Sequence, residues 1–143
     1  MKRTQAVAAG AVVAAALALT LGATRSDAQP SGVKRTVLQR SDIGATPDRE
    51  AVTAKIEFET GVRSGRHTHP GEEVGYVLEG KLCLAVEGQA IVALKAGDTF
   101  FVEAGRPHEV INEEAEPAVV LATYIVGKGE PLATPVVGSF SWR

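Results

Sequence analysis

The chain has 143 residues, 45% of them hydrophobic, with 15 basic and 17 acidic side chains and a formal net charge of −2. This length suits one globular domain, and a weakly acidic chain with no arginine-rich stripe gives no field for a phosphate backbone, so nucleic acid is not expected as a partner. Its single cysteine, Cys83, excludes an intramolecular disulfide staple.

Lys2 and Arg3 precede a small and apolar run from Ala6 to Leu19. A basic start followed by such a run reads as an export signal, so residues 1–28 are expected to be a cleavable signal peptide and the protein periplasmic or secreted. Ser26 and Ala28 place small residues before one cleavage point, and Ala23 offers another. The run is rich in alanine and weak for a permanent span, so no stable membrane insertion is expected after cleavage. No cysteine follows it to carry a lipid, and no Arg-Arg pair precedes it, which favours export as an unfolded chain.

Residues 29–49 are expected to form an N-terminal arm that opens on a loose tail and holds a weak strand around Val33 and Val37. Only residues 41–50 leave room for a short helical turn. Beyond them, Ala54, Ile56 and Phe58 alternate with Lys55, Glu57 and Glu59, the period of a half-buried strand. Further strands are expected at 74–79, 81–86, 90–94, 99–102, 108–112 and 118–126, separated by turn residues such as Pro70-Gly71, Gly80 and Gly105-Arg106-Pro107. So many short strands in one domain predict an all-β sandwich or small barrel over residues 50–126. Residues 127–143 form a tail, either an edge strand or a flexible end, whose Phe140 and Trp142 suggest packing on a second subunit.

The three histidines fall in two short segments. His67 and His69 are two apart, so on a strand they face the same way and can converge on one ion. Pro70-Gly71 permits a bend that returns Glu73 to the same point, and His108 remains as the source of a fourth donor. Cys83 sits among Leu82, Leu84 and Val86 and reads as a small buried hydrophobe. Asn112 is expected to satisfy backbone groups. Tyr76, Phe101 and Tyr124 are candidate pocket residues. Glu103 is either a general base at the barrel mouth or a charged loop residue, and Arg106 either a carboxylate clamp or an exposed turn arginine.

The sequence resembles the cupins. Gly61, His67, His69, Glu73 and Gly80 keep the spacing of the first cupin motif, and Gly97, Gly105, His108 and Asn112 that of the second, with Glu103 where proline is usual. The resemblance covers residues 50–126. It implies a double-stranded β-helix, or jelly-roll barrel, with one divalent transition metal held by His67, His69, Glu73 and His108. The donor types suit iron, manganese, nickel, copper and zinc alike; for a chain that acquires its metal outside the cytosol, copper, zinc or iron is expected, with manganese or nickel as alternatives. The small quercetin-dioxygenase-like members suggest an enzyme that inserts oxygen into a small phenolic or enolisable substrate, with Glu73 also accepting a substrate proton. Two alternatives stand beside it: non-redox chemistry of an isomerase, decarboxylase or hydrolase, and a non-catalytic module that binds a metal or small ligand. A homodimer is expected from the resemblance.

Overall fold

The computed structural model describes residues 29–138, so the expected signal peptide, Phe140 and Trp142 lie outside the described residues. The described chain contains ten strands and no helix: β1 Val33–Asp42, β2 Arg49–Phe58, β3 His67–Thr68, β4 Glu72–Glu79, β5 Lys81–Val86, β6 Val92–Lys95, β7 Thr99–Val102, β8 His108–Ile111, β9 Ala118–Gly127 and β10 Thr134–Pro135. They form two five-stranded antiparallel sheets, ordered β1-β2-β9-β4-β7 and β10-β3-β8-β5-β6. The molecule is thus all-β, as the strand spacing predicts, and takes the jelly-roll form that the resemblance implies. None of the described segments is a helix long and apolar enough to cross a membrane.

Strand parity decides which residues meet inside. In β2 the residues Val52, Ala54, Ile56 and Phe58 are buried while their neighbours are half-exposed, and in β9 Val120, Ala122, Tyr124 and Val126 do the same. The ladder joins these positions into rows across the inner face of the first sheet. One row runs Val52, Tyr124, Glu73, Val102, the next Ala54, Ala122, Gly75, Phe100, and a third Arg35, Ile56, Val120, Val77. Gly75 is required in its row, because a Cβ there would stand 2.0 Å from the Phe100 ring. Gly80 turns β4 into β5 at a φ of 78°, which an L side chain rarely adopts.

The weak strand expected around Val33 and Val37 is present as β1, which pairs with β2 from Val33↔Phe58 to Asp42↔Glu50, with a bulge between Val37 and Gln39. Residues 43–49 hold two tight turns, Thr46 N–H to Ile43 C=O and Arg49 N–H to Thr46 C=O, and no helix. Of the two alternatives for the segment after residue 127, the described part is the edge strand: β10 pairs with β3 at the edge of the second sheet, and Leu132 is buried.

Candidate metal centre

The two sheets bring the histidines and Glu73 together at one end of the barrel. His67 lies on β3 directly opposite His108 of β8, His69 follows β3 by one residue, and Glu73 comes from β4 in the facing sheet. The ring centroids are 4.3 Å apart for His67 and His108 and 4.8 Å for each of the other two pairs. One ligand nitrogen from each histidine lies within 4.8 Å of the others. Glu73 Oε2 is 3.1 Å from His69 Nε2 and 3.4 Å from His108 Nε2. Adjacent donors at roughly 2.0–2.2 Å from one ion stand about 3 Å apart, so this spacing suits a shared cation.

The hydrogen bonds behind the rings select the tautomer. His67 Nδ1 faces Gly65 C=O at 2.8 Å, His108 Nδ1 faces Arg106 C=O at 3.0 Å, and His69 Nδ1 faces Leu132 C=O at close range. A carbonyl can only accept, so each Nδ1 carries the proton and donates it outward. Each neutral ring then turns the lone pair of Nε2 toward the others. Nε2 of His69, Nε2 of His108 and Oε2 of Glu73 are buried and form no hydrogen bond of good geometry. Three lone-pair donors and an anion facing one another without a donor between them are costly unless a cation lies among them. The donor set therefore fits a metal ion, and the three histidines can hold one.

Electrostatics follow from this enclosure. Burial, reinforced by the neighbouring His108 and His69 rings, pushes His67 down to about 3, so it stays neutral and able to ligate. Burial disfavours the Glu73 carboxylate, yet positive charge shared with Nε2 of His108 and His69, from a proton when no ion lies among them, more than offsets this and holds it below the usual carboxylate range. The Tyr124 phenol is raised well above its ordinary value by burial and by the Glu73 charge, so it remains a neutral hydroxyl.

A cavity of about 540 Å³ opens over this cluster, lined by His67, Glu73, His108 and Tyr124 and by apolar side chains including Phe58 and Phe100. Tyr124, expected as a pocket residue, is fully buried there with its ring 4.8 Å from His69. The other three expected pocket residues are elsewhere. Tyr76 and Phe101 lie on the outer face of the first sheet, 43% and 57% exposed, because β4 and β7 point Glu73 and Phe100 inward and their neighbours outward. Glu103 is on an exposed loop, paired with Arg106 at 3.2 Å. Arg35, Arg66 and Phe100 are cavity residues that the sequence reading did not select. For Arg35 the signal existed, since it shares the parity of buried Val33.

Asn112 is fully buried and donates to the carbonyls of Glu59 at 3.0 Å and Glu116 at 2.9 Å while accepting from Glu114 N–H. Cys83 is half-buried rather than enclosed.

Comparison with known proteins agrees with this architecture. A cupin domain model matches residues 54–124. The beta-alanine degradation protein BauB of Pseudomonas aeruginosa is 36% identical over 78 residues, which are 53% of this chain and 82% of BauB. The HTH-type transcriptional regulator PuuR of Escherichia coli (strain K12) is 36% identical over 70 residues, 48% of this chain, and the match spans only 37% of PuuR. An RmlC-like cupin from Shewanella frigidimarina superposes with a TM-score of 0.57 at 27% identity, covering 70% of this chain and 81% of that one. The chain belongs to the cupin superfamily.

Proposed function

We propose that the protein is an exported, metal-dependent dioxygenase acting on a small phenolic or enolisable compound, with Glu73 as the fourth ligand beside His67, His69 and His108. The observation that carries this reading is the set of inward Nε2 lone pairs and the Glu73 carboxylate beneath a largely apolar cavity. When bound, a first-row transition metal supplies Lewis acidity and electron transfer toward dioxygen. The chain's own part is to hold and enclose. The carbonyls of Gly65, Arg106 and Leu132 fix the three rings, Phe58 and Phe100 keep water from the reacting end, and Glu73 is the carboxylate placed to take a proton from a bound substrate.

Metal analysis of the native protein, coupled to oxygen uptake over a panel of phenols, diketones and small acids, tests this reading. Iron, copper or zinc is expected as isolated, and manganese or nickel alone would refute that choice. Replacing His67 and His69 together with alanine should remove both metal and uptake; uptake that survives takes the metal out of the mechanism. Turnover with zinc alone and without oxygen would instead point to isomerase, decarboxylase or hydrolase chemistry. The similarity to a segment of PuuR favours a second reading, a module that binds a small ligand without turning it over. Tight ligand binding with no product would select it.

Export rests on residues 1–28, and a mature chain beginning at Gln29 or Thr24 is the expected mass in the extracytoplasmic fraction. The chain is also proposed to pair with a second copy. Val74, Tyr76, Leu78 and Phe101 form an exposed apolar patch on the outer face of the first sheet, with Val74 opposite Phe101. Sedimentation as a monomer at micromolar concentration would exclude this.

A further inference from the structure

Tyr124 is fully buried beside the metal centre without being one of its donors. In the ladder between β9 and β4 it stands directly opposite Glu73, and both side chains line the cavity. Its ring lies 4.8 Å from that of His69, the histidine whose Nε2 is 3.1 Å from Glu73 Oε2. The Tyr124 hydroxyl has Glu73 and Arg35 as hydrogen-bond partners. A guanidinium can only donate, so the phenol oxygen accepts from Arg35 and its single proton goes to the Glu73 carboxylate. Of the two carboxylate oxygens, Oε2 faces Nε2 of His69 and His108 and forms no hydrogen bond of good geometry. The phenol proton therefore falls to Oε1. Val52, itself fully buried, flanks Tyr124 on the side away from Glu73 and leaves the ring little room to turn.

We propose that Tyr124 is the positioning residue of Glu73: by holding Oε1 it turns Oε2 toward the histidines and presents the carboxylate to a cation through that one oxygen. This rests on the metal reading of the same site. The last torsion of a glutamate side chain is broad and two-fold, so a carboxylate with both oxygens free can offer either of them or both. A hydrogen bond from a confined phenol to one oxygen removes that freedom, as the carbonyls of Gly65, Leu132 and Arg106 do for the three rings. Confined to one donor atom, Glu73 takes up one coordination position of an ion rather than two. Tyr124 acts through Glu73; no bond is made or broken at it.

Tyr124→Phe removes the hydroxyl and keeps the ring, and cobalt(II) alone serves as the probe because its visible bands respond to the donor set. Titrated into the full chain against a competing chelator, cobalt is expected to bind the variant about tenfold more weakly than wild type, with bands shifted as the carboxylate turns. Wild-type affinity in the variant overturns the proposal. So does weaker affinity with an unchanged spectrum, which is what a merely structural residue would give. If Tyr124→Phe fails to fold, infrared difference spectra of wild-type protein carrying ¹³C-labelled glutamate carboxylates decide. On cobalt binding, a wide splitting between the two carboxylate stretches marks ligation through one oxygen and supports the proposal; a narrow splitting marks ligation through both and overturns it. Failure of the metal reading looks different. A wild-type chain that binds no cobalt, or binds it undiminished after His67→Ala and His69→Ala, refutes that reading and the role of Tyr124 with it, whereas tight binding that only Tyr124→Phe leaves intact refutes the role alone.

Discussion

His67 illustrates how one side chain sets the acid response of the protein. Its folded value of about 3 lies below its ordinary value of 6.5, chiefly because burial disfavours the charged ring. Above about 6.5 neither the folded nor the unfolded chain protonates it. Between there and about 3 only the unfolded chain takes the proton, so its contribution to stability is lost as pH falls through that window. Glu73, held below its ordinary range, adds a loss in the same direction once unfolded carboxylates begin to protonate. Thermal melting of chelator-treated protein should show Tm falling steadily from pH 7 to pH 5, and His67→Gln should flatten that slope. A slope unchanged by His67→Gln would place the acid sensitivity elsewhere. Asn112 offers a second test on a single residue. Asn112→Ala leaves the Glu59 and Glu116 carbonyls and the Glu114 N–H without their side-chain partner. It should cost on the order of 3 kcal/mol in urea unfolding; a loss within the usual surface range would mean that water replaces the amide.

At the scale of the strand, alternation was legible and its phase was not always so. The half-buried pattern of β2 and the convergence of His67 with His69 follow directly from period two, as does the long inner face of β9. Phe100 and Phe101 are adjacent aromatics in a short strand, and nothing in their spacing says which one faces inward. The answer lies in pairing: Phe100 stands opposite Gly75, whose missing side chain is the space its ring occupies. Gly75→Ala places a methyl group within 2.0 to 2.6 Å of three atoms of that ring. The ring must swing away from β4, so this variant is expected to lose about 1–3 kcal/mol of stability. Adding Phe100→Leu should restore part of the stability. Strict additivity of the two changes would show that the pair is not in contact.

Across the whole molecule, the four polar side chains of the centre were readable from the sequence because of their residue types and spacing, whereas their supports were not. Leu132 carries no signal of its role, for what it contributes is a backbone carbonyl to His69 Nδ1 together with a buried side chain. These two contributions can be separated. Leu132→Ala keeps the carbonyl and should cost about 2–5 kcal/mol while leaving metal stoichiometry intact in the folded protein. Ending the chain after Lys128 removes the carbonyl and β10 as well, and should weaken metal affinity by about tenfold or more in a chelator competition assay. Full affinity in the shortened chain would show that His69 needs no such restraint.

The position of that carbonyl bears on assembly order. His69 precedes Leu132 in the chain by more than half the described residues, so during synthesis or threading through a membrane pore the ring emerges long before its restraint does. Until the final turn of polypeptide docks, the imidazole is free to rotate and can present either nitrogen. An ion captured before this segment docks is therefore expected to be held about tenfold more weakly, or worse, than one captured after it.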